Sequence, residues 1–166
     1  MTVLETERLT LRRMERSDAP LMLELLNDPA FIRFVADRGV RTEAQAAHYI
    51  EEKILPSYAT FGFGFYVAEQ KETGEAVGIC GLIKRDALDD VDVGFSFRRN
   101  FWGRGYATEA AAAVMELGRT KFGLPRVIAI ASADNVSSIR VLKKLGLRFE
   151  KTVRLPGYKS DGQIYA

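Results

Sequence analysis

The sequence predicts a mixed α/β fold, a twisted central sheet with helices on both faces. Three observations carry that prediction. Runs with a period of two alternate along the chain with runs of helical period. Residues 65–70 and 76–84 read as two antiparallel strands joined by a turn-like link, Lys71-Glu72-Thr73-Gly74-Glu75. Residues 91–97 read as a strand that passes through two closely spaced glycines into an Ala-rich helix. At 166 residues the chain is expected to form a single domain, 1–166, long enough to bury a sizeable core.

Taken in order, residues 4–14 open the fold as a strand. Leu9, Leu11 and Arg13 alternate with Arg8, Thr10 and Arg12, which suits one polar face. Ser17 or Asp18 reads as a helix cap with Pro20 in the first turn, and Asn27-Asp28-Pro29 as that helix's end. Residues 30–41 are poorly periodic. Thr42-Glu43-Ala44-Gln45 has capping-box spacing, and a helix is expected from there to Leu55-Pro56. His48, the only histidine, lies on it; with no partner motif it reads as a partly exposed helical residue rather than a general base. Phe61-Gly62-Phe63-Gly64-Phe65-Tyr66 reads as loop and core strand rather than an acceptor pocket. Cys80 falls mid-strand with no base beside it and reads as a buried structural thiol.

The helix after the glycine pair carries apolar residues at Ala107, Ala110, Ala111, Val114 and Leu117 and ends near Gly123-Leu124-Pro125. Residues 127–131 form a short strand. A further helix follows with Ile139, Leu142 and Leu145 on one face, lysines near its C-terminus and Gly146 as its stop. Residues 148–154 read as a strand, 155–162 as a loop, and 163–166 as the start of a last strand.

Composition bounds the function. A charged fraction of 28% and a hydrophobic fraction of 47% are ordinary for a globular protein, so no unusual class is indicated. The net charge of +2 is too small to imply a nucleic-acid partner. One cysteine allows no internal disulfide and points to a reducing compartment. No run reaches membrane-helix length and no signal peptide precedes the first strand pattern, so a cytoplasmic protein without membrane partners is expected.

The chemistry centres on Trp102-Gly103-Arg104-Gly105-Tyr106-Ala107-Thr108-Glu109-Ala110. Strand, tight glycine loop and helix start together aim free backbone N–H groups at an anion. Gly103 and Gly105 let a phosphate approach the main chain, and Arg104 adds charge between them. The motif is not a P-loop, since no Lys-Ser/Thr follows. It is a poor dinucleotide fingerprint, since Thr108 stands where the third glycine belongs.

This stretch resembles the acyl-CoA pyrophosphate loop of the GNAT N-acetyltransferase superfamily. It is most similar to the ribosomal-protein N-terminal acetyltransferase (RimJ/RimL-type) branch. The superfamily pattern, Gln/Arg-x-x-Gly-x-Gly/Ala, is met at Gly105 and Ala107, while Trp102 departs from its first position. Asn135-x-x-Ser138 followed by Leu145-Gly146-Leu147-Arg148-Phe149 is a second match, and the opening Glu5-Thr6-Glu7-Arg8-Leu9-Thr10-Leu11-Arg12 a third, so the resemblance spans nearly the whole chain.

The resemblance implies a GNAT-like acyl-CoA N-acyltransferase fold in which a central strand splays from its neighbour and takes the thioester and pantetheine into the gap. Amides around Phe95, Ser96 and Phe97 would bond them. The resemblance places the co-substrate, acetyl-CoA, also on Trp102, Gly103, Arg104, Gly105, Tyr106, Ala107, Thr108, Asn135 and Ser138, with no metal. Asn135 would hold the pantetheine arm and Ser138 would protonate the leaving thiolate. Many relatives use a tyrosine four residues after that serine; here the position is Leu142. Asp92 stands where a glutamate often draws a proton from the amine through water, and reads equally as an exposed strand carboxylate. The implied acceptor is a primary amine, a protein N-terminus or a small molecule. Monomer and homodimer both stay open. So do two other classes: a non-catalytic acyl-CoA-binding regulatory module, and a weak nucleic-acid binder using Arg98, Arg99 and Arg104.

Overall fold

The computed structural model describes residues 1–158 and 160–166. Lys159, in the loop expected at 155–162, lies outside the described residues.

The first expected strand is a hairpin, β1 (Thr2–Glu5) and β2 (Leu9–Arg13). The chain turns because Thr6 bonds locally: its N–H donates to the Leu9 carbonyl (2.8 Å) and its hydroxyl accepts from the Leu9 N–H (3.1 Å). Leu9 and Leu11 are buried, as the alternation requires.

α1 (Ala19–Leu26) follows a 3₁₀ turn, Arg16–Asp18, with Pro20 in its first turn. Asp18 does not cap α1 with its side chain. Its carboxylate accepts the Glu15 N–H (2.8 Å) and a two-pronged bond from Arg12 (2.9 and 2.8 Å) instead. Asp28 caps α2 (Pro29–Phe34) through the Ala30 N–H (2.8 Å). Six residues make fewer than two turns, too few for a periodic signal, which is why this stretch reads as irregular in sequence.

The capping box opens α3 (Glu43–Tyr49): Gln45 N–H to Thr42 Oγ1 at 3.1 Å, Thr42 N–H to Gln45 Oε1 at 3.2 Å. The helix does not stop at Pro56. It widens into a π turn over Ile50–Ile54 and continues as α4 (Leu55–Phe61). A proline removes one N–H and crowds the preceding turn, and a widened turn ahead of it absorbs both. Gly62, at φ 83°, ends α4 with its N–H on the Tyr58 carbonyl (3.0 Å).

β3 (Phe65–Gln70) and β4 (Ala76–Ile83) pair antiparallel as expected, and the expected strand β5 (Val91–Phe97) extends them into an antiparallel meander. α5 (Tyr106–Thr120) then crosses to β6 (Val127–Ser132), which lies parallel to β5. α6 (Val136–Lys144), β7 (Phe149–Val153) and β8 (Gly162–Tyr165) complete the chain. β8 inserts between β6 and β7, so the sheet order is β1-β2-β3-β4-β5-β6-β8-β7. Helices cover both faces. α5 packs across β4, β5 and β6, and α1 packs on β4 and α3. The alanine face of α5, Ala110 and Ala111 with Val114, is fully buried and lets the helix lie close to the sheet.

One feature of the sheet sets up the site. β5 and β6 pair only at Val91↔Val127 and Asp92↔Ile128. From Ala129 to Ser132, β6 pairs with β8 on its other side, and the rest of β5 diverges from it. The result is a fork in the middle of the sheet.

Close packing behind the fork is testable. A Cβ on Gly81 would sit 2.0 Å from the Gly64 carbonyl oxygen and 2.6 Å from the Phe65 Cα, both backbone atoms. Gly81→Ala should therefore cost about 3 kcal/mol or more, lowering the unfolding midpoint by roughly 6–12 °C. Thermal unfolding within about 2 °C of the parent would show that β3 and β4 are less tightly joined.

Candidate active site

The phase of the β4–β5 ladder decides what the fork offers. Arg98 N–H bonds to the Val77 carbonyl (2.9 Å), and antiparallel partners alternate, so Ser96 and Gly94 turn their main-chain groups to β4. Phe95 and Phe97 turn theirs into the fork. The Trp102 indole N–H takes the Phe97 carbonyl (2.7 Å), tying the strand end to the loop that follows. Trp102, at the position that departs from the superfamily pattern, thus has a structural task that the motif does not reveal.

The loop passes from a 3₁₀ turn, Arg99–Phe101, through Trp102 to Gly103 (φ 76°) and Gly105 (φ 80°). Both glycines occupy the left-handed region that side chains disfavour. Gly105 is the N-cap of α5, and the first intrahelical bond runs from Glu109 N–H to the Gly105 carbonyl (3.0 Å). The amides of Tyr106, Ala107 and Thr108 precede it and stay open to a ligand, at the positive end of the helix dipole. A Cβ on Gly103 would meet no atom within 4 Å, so the turn is roomy as well as donor-rich. The Arg99 guanidinium lies 3.9 Å from the Trp102 ring centroid and that of Arg104 lies 5.0 Å from the Phe101 centroid.

Glu109 anchors this turn from below. Its carboxylate accepts the Thr6 hydroxyl (2.5 Å), the Arg8 N–H (2.9 Å) and Arg8 Nε (2.7 Å). Partial burial pushes its pKa up, but the bonds from Thr6 and Arg8 outweigh this and hold it below the ordinary value. The sequence shows Glu109 only as part of the motif; its partners lie a hundred residues away.

Two cavities open on the fork. One, of about 400 Å³, runs from the glycine turn to α6. It is lined by the strand residues Phe95, Ser96 and Phe97, by Trp102, Gly103 and Gly105, by Tyr106, Ala107 and Thr108, and by Asn135 and Ser138. Of the residues expected to hold the co-substrate, Arg104 alone stands outside this lining. The other cavity, about 470 Å³, lies between the α2–α4 segment and the β4–β5 connection and contains Asp92. The cavities share Phe31, Phe34 and Val35 of the α2 segment and, on the sheet and α6 side, Phe95, Ser96, Asn135 and Ser138.

At the shared wall, Asn135 caps α6 by accepting the Ser138 N–H (3.3 Å), which leaves its side-chain NH₂ as a donor. Ser138 is half-buried in the first turn. Leu142, one turn on, is only 1% exposed and belongs to the core.

Asp92 is not an exposed strand carboxylate. It is 2% exposed and receives Nε and Nη2 of Arg85 at 3.0 and 3.3 Å. Burial raises its pKa, and Arg85 pulls it back only in part. Arg85 escaped the sequence reading. The signal was the hairpin register, Ile83↔Asp92, which brings residues just beyond β4 over the start of β5.

The remaining candidates sort cleanly. His48 is largely exposed and sits 3.6 Å from Glu52 on its own helix, outside both cavities. Cys80 is buried, which pushes its thiol pKa up and away from nucleophilic use. The aromatic stretch divides: Phe63 and Tyr66 are core, while Phe61 and Phe65 line the larger cavity, so reading it as loop and core strand rather than pocket was incomplete. Arg98 pairs with Glu24 and Glu75, and Arg99 with Asp28. Among the described residues no three His, Cys, Asp or Glu side chains form a metal-binding group, and no helix is long and apolar enough to cross a membrane.

The forked sheet thus has a donor-rich glycine turn at one end and two cavities that meet at the N-terminus of α6. The chain belongs to the acetyltransferase (GNAT) family, whose domain model matches residues 8–148. It is 33% identical over 156 residues to the uncharacterized protein YkkB of Bacillus subtilis (strain 168), covering 92% of this chain and 89% of YkkB. It is 32% identical to the uncharacterized N-acetyltransferase p20 of Bacillus licheniformis, over 93% of this chain and 86% of p20. In fold it resembles RimL, a ribosomal-protein α-N-acetyltransferase solved with coenzyme A, at a TM-score of 0.81 and 17% identity, covering 99% of this chain and 96% of that one.

The Glu109 anchor predicts a pH signature. Its folded pKa lies below its unfolded value, so the carboxylate stabilises the fold above the ordinary value of 4.5 and loses that contribution as pH falls through the folded value. Glu109→Gln should cost about 1–2 kcal/mol at neutral pH, and the gap should close in acid. Urea unfolding of both proteins across a pH series measures it; a pH-independent gap would assign the loss to packing.

Proposed function

We propose that this protein is an N-acetyltransferase of the RimJ/RimL-like branch. In this reading residues 1–166 act as one cytoplasmic catalytic domain. It moves the acetyl group of acetyl-CoA to a primary amine, a protein N-terminus or a small molecule, by direct attack. The observation that carries the reading is the wall of Phe95, Ser96, Asn135 and Ser138 shared by two cavities. It lets a donor thioester and an acceptor amine reach one another from opposite sides, which is the proximity term of catalysis. The coenzyme A bound to RimL supports assigning the smaller cavity to the donor.

Each residue then has a task. The open amides of Tyr106, Ala107 and Thr108 bind the pyrophosphate, with Gly103 and Gly105 shaping the approach and Arg104 contributing long-range charge. The main-chain groups of Phe95 and the Phe97 N–H hold the pantetheine and the thioester in the fork. An N–H there also meets the oxyanion that develops on the carbonyl. The Asn135 side-chain NH₂ orients the arm from the other side.

The neutral amine attacks the thioester carbon. The N–C bond forms, the C–S bond breaks, and its electron pair leaves with sulfur. The amine's surplus proton passes along a chain of water molecules, long enough to span the distance down β5, to Asp92, whose burial-raised pKa makes it a better base than a free carboxylate, while Arg85 favours its ionised form. Ser138, near the positive end of the α6 dipole, hydrogen-bonds and protonates the thiolate, then recovers its proton from solvent.

Thermal unfolding with acetyl-CoA, CoA, NAD and GTP tests the donor half. A ligand at ~100 times its dissociation constant stabilises by about 2.7 kcal/mol, so both CoA species should raise the midpoint by roughly 5–10 °C and the other two by little. No CoA shift at saturation, or a larger one with GTP, removes the reading.

The acid role is tested separately. Ser138→Ala should lower kcat by about 10²–10⁴-fold while leaving the CoA-induced shift nearly intact. Near-parental kcat would leave water as the proton donor.

A further inference from the structure

The larger cavity carries a charge imbalance that the transfer chemistry does not use. Among the described residues four basic side chains line it, Arg38, Lys53, Lys84 and Arg85, against two acidic ones, Asp92 and Asp161. Both acids are already matched. Asp92 holds Arg85, and Asp161 accepts from Arg154, which lies outside the lining (3.4 Å). Lys84 donates to two neutral carbonyls, of Arg85 (2.8 Å) and Leu88 (2.5 Å), so its charge meets no counter-ion there. Among the described residues neither Arg38 nor Lys53 is in an ion pair.

Two of these cations converge. The Arg85 and Arg38 guanidiniums lie 5.3 and 5.8 Å from the centroid of one ring, Tyr158. Tyr49 lies beside the same group; burial raises its pKa while Arg38 and Arg85 pull it down. The two phenols add neutral donors beside a guanidinium whose charge no carboxylate takes up. A guanidinium fork with adjacent hydroxyls suits a planar carboxylate. A second cation, such as the far end of a diamine, would meet like charge.

Position along the strand sets the spacing. Asp92, under Arg85, is three residues from Phe95 on β5, about 10 Å at the rise of an extended strand. The anion site is therefore displaced from the wall where the amine reacts.

We infer that the acceptor is an amine that also bears a carboxylate, separated from the nitrogen by several bonds, and that Arg38, with Tyr49 and Tyr158, forms its carboxylate site. This rests on assigning the larger cavity to the acceptor.

The test compares ω-amino acids of increasing length, from glycine to ε-aminocaproate, each against its own carboxamide, with cadaverine as the dicationic control. Turnover with acetyl-CoA and the unfolding midpoint at saturating CoA are both measured, on the parent and on Arg38→Gln. The longer amino acids should exceed their amides by about ten- to hundredfold in kcat/KM, with cadaverine poorest. In Arg38→Gln that ratio should fall toward one. If no amine is acetylated but the carboxylates alone raise the midpoint, and only with Arg38 present, the anion site stands and acetyl transfer falls. If amides react as well as acids, or the preference survives Arg38→Gln, the carboxylate site is overturned and acetyl transfer stands. Neither turnover nor a carboxylate-dependent shift overturns the site as well.

Discussion

A sheet that stops pairing in its own middle is the constraint on which the rest of this structure depends. Buried main-chain N–H and C=O groups must find partners, because an orphan costs about 1–3 kcal/mol. β5 and β6 satisfy one another at two residue pairs and then part. The chain answers the deficit only in part. The Trp102 indole takes the Phe97 carbonyl, and β8 holds β6 in place from its outer edge, leaving the inner edge of β6 facing the fork. What stays open is confined to short lengths of β5 and β6, and it faces two cavities rather than solvent at large. The fork is thus a small, bounded set of main-chain donors and acceptors in the middle of the sheet.

The glycine turn depends on the same divergence. α5 starts where β5 ends, so the open amides of its first turn point along the fork. Glu109 holds that start against the β1–β2 turn through Thr6 and Arg8. The loop is accordingly fixed from three directions: the strand it leaves, the helix it enters and a hairpin from the opposite end of the chain. Little ordering is left to be done when an anion arrives, which is the condition under which backbone donors bind well.

Much of this was legible in the sequence, and the misses share physical causes. The β3–β4 pair, the β5 strand, the α5 and α6 helices and the glycine turn follow from periodicity and from Gly and Asn chemistry acting over a few residues. The β1–β2 turn was missed because Thr6 carries no glycine or proline to mark it. α2 was missed because it is too short to show a period, and the run through Pro56 because a π turn has no sequence signature. For the site, the motif residues were legible as a group, since neighbours in sequence remain neighbours in the loop. Arg85, Arg38 and Tyr158 were not, because they come from three separate connections and meet only through tertiary packing. The burial of Asp92 was equally hidden: nothing in Val91-Asp92-Val93 shows that Arg85 lies over it.

The insertion of β8 has a consequence for how the protein is made. β6 is complete at Ser132, yet the strand that covers its outer edge comes thirty residues later, after α6 and β7. A nascent chain therefore carries a finished strand, Val-Ile-Ala-Ile-Ala-Ser, with one side bare until Gly162–Tyr165 emerges. Such an edge is apolar and suited to pairing with another copy. The strand Gly162–Tyr165 thus acts as an internal protective strand for the edge of β6.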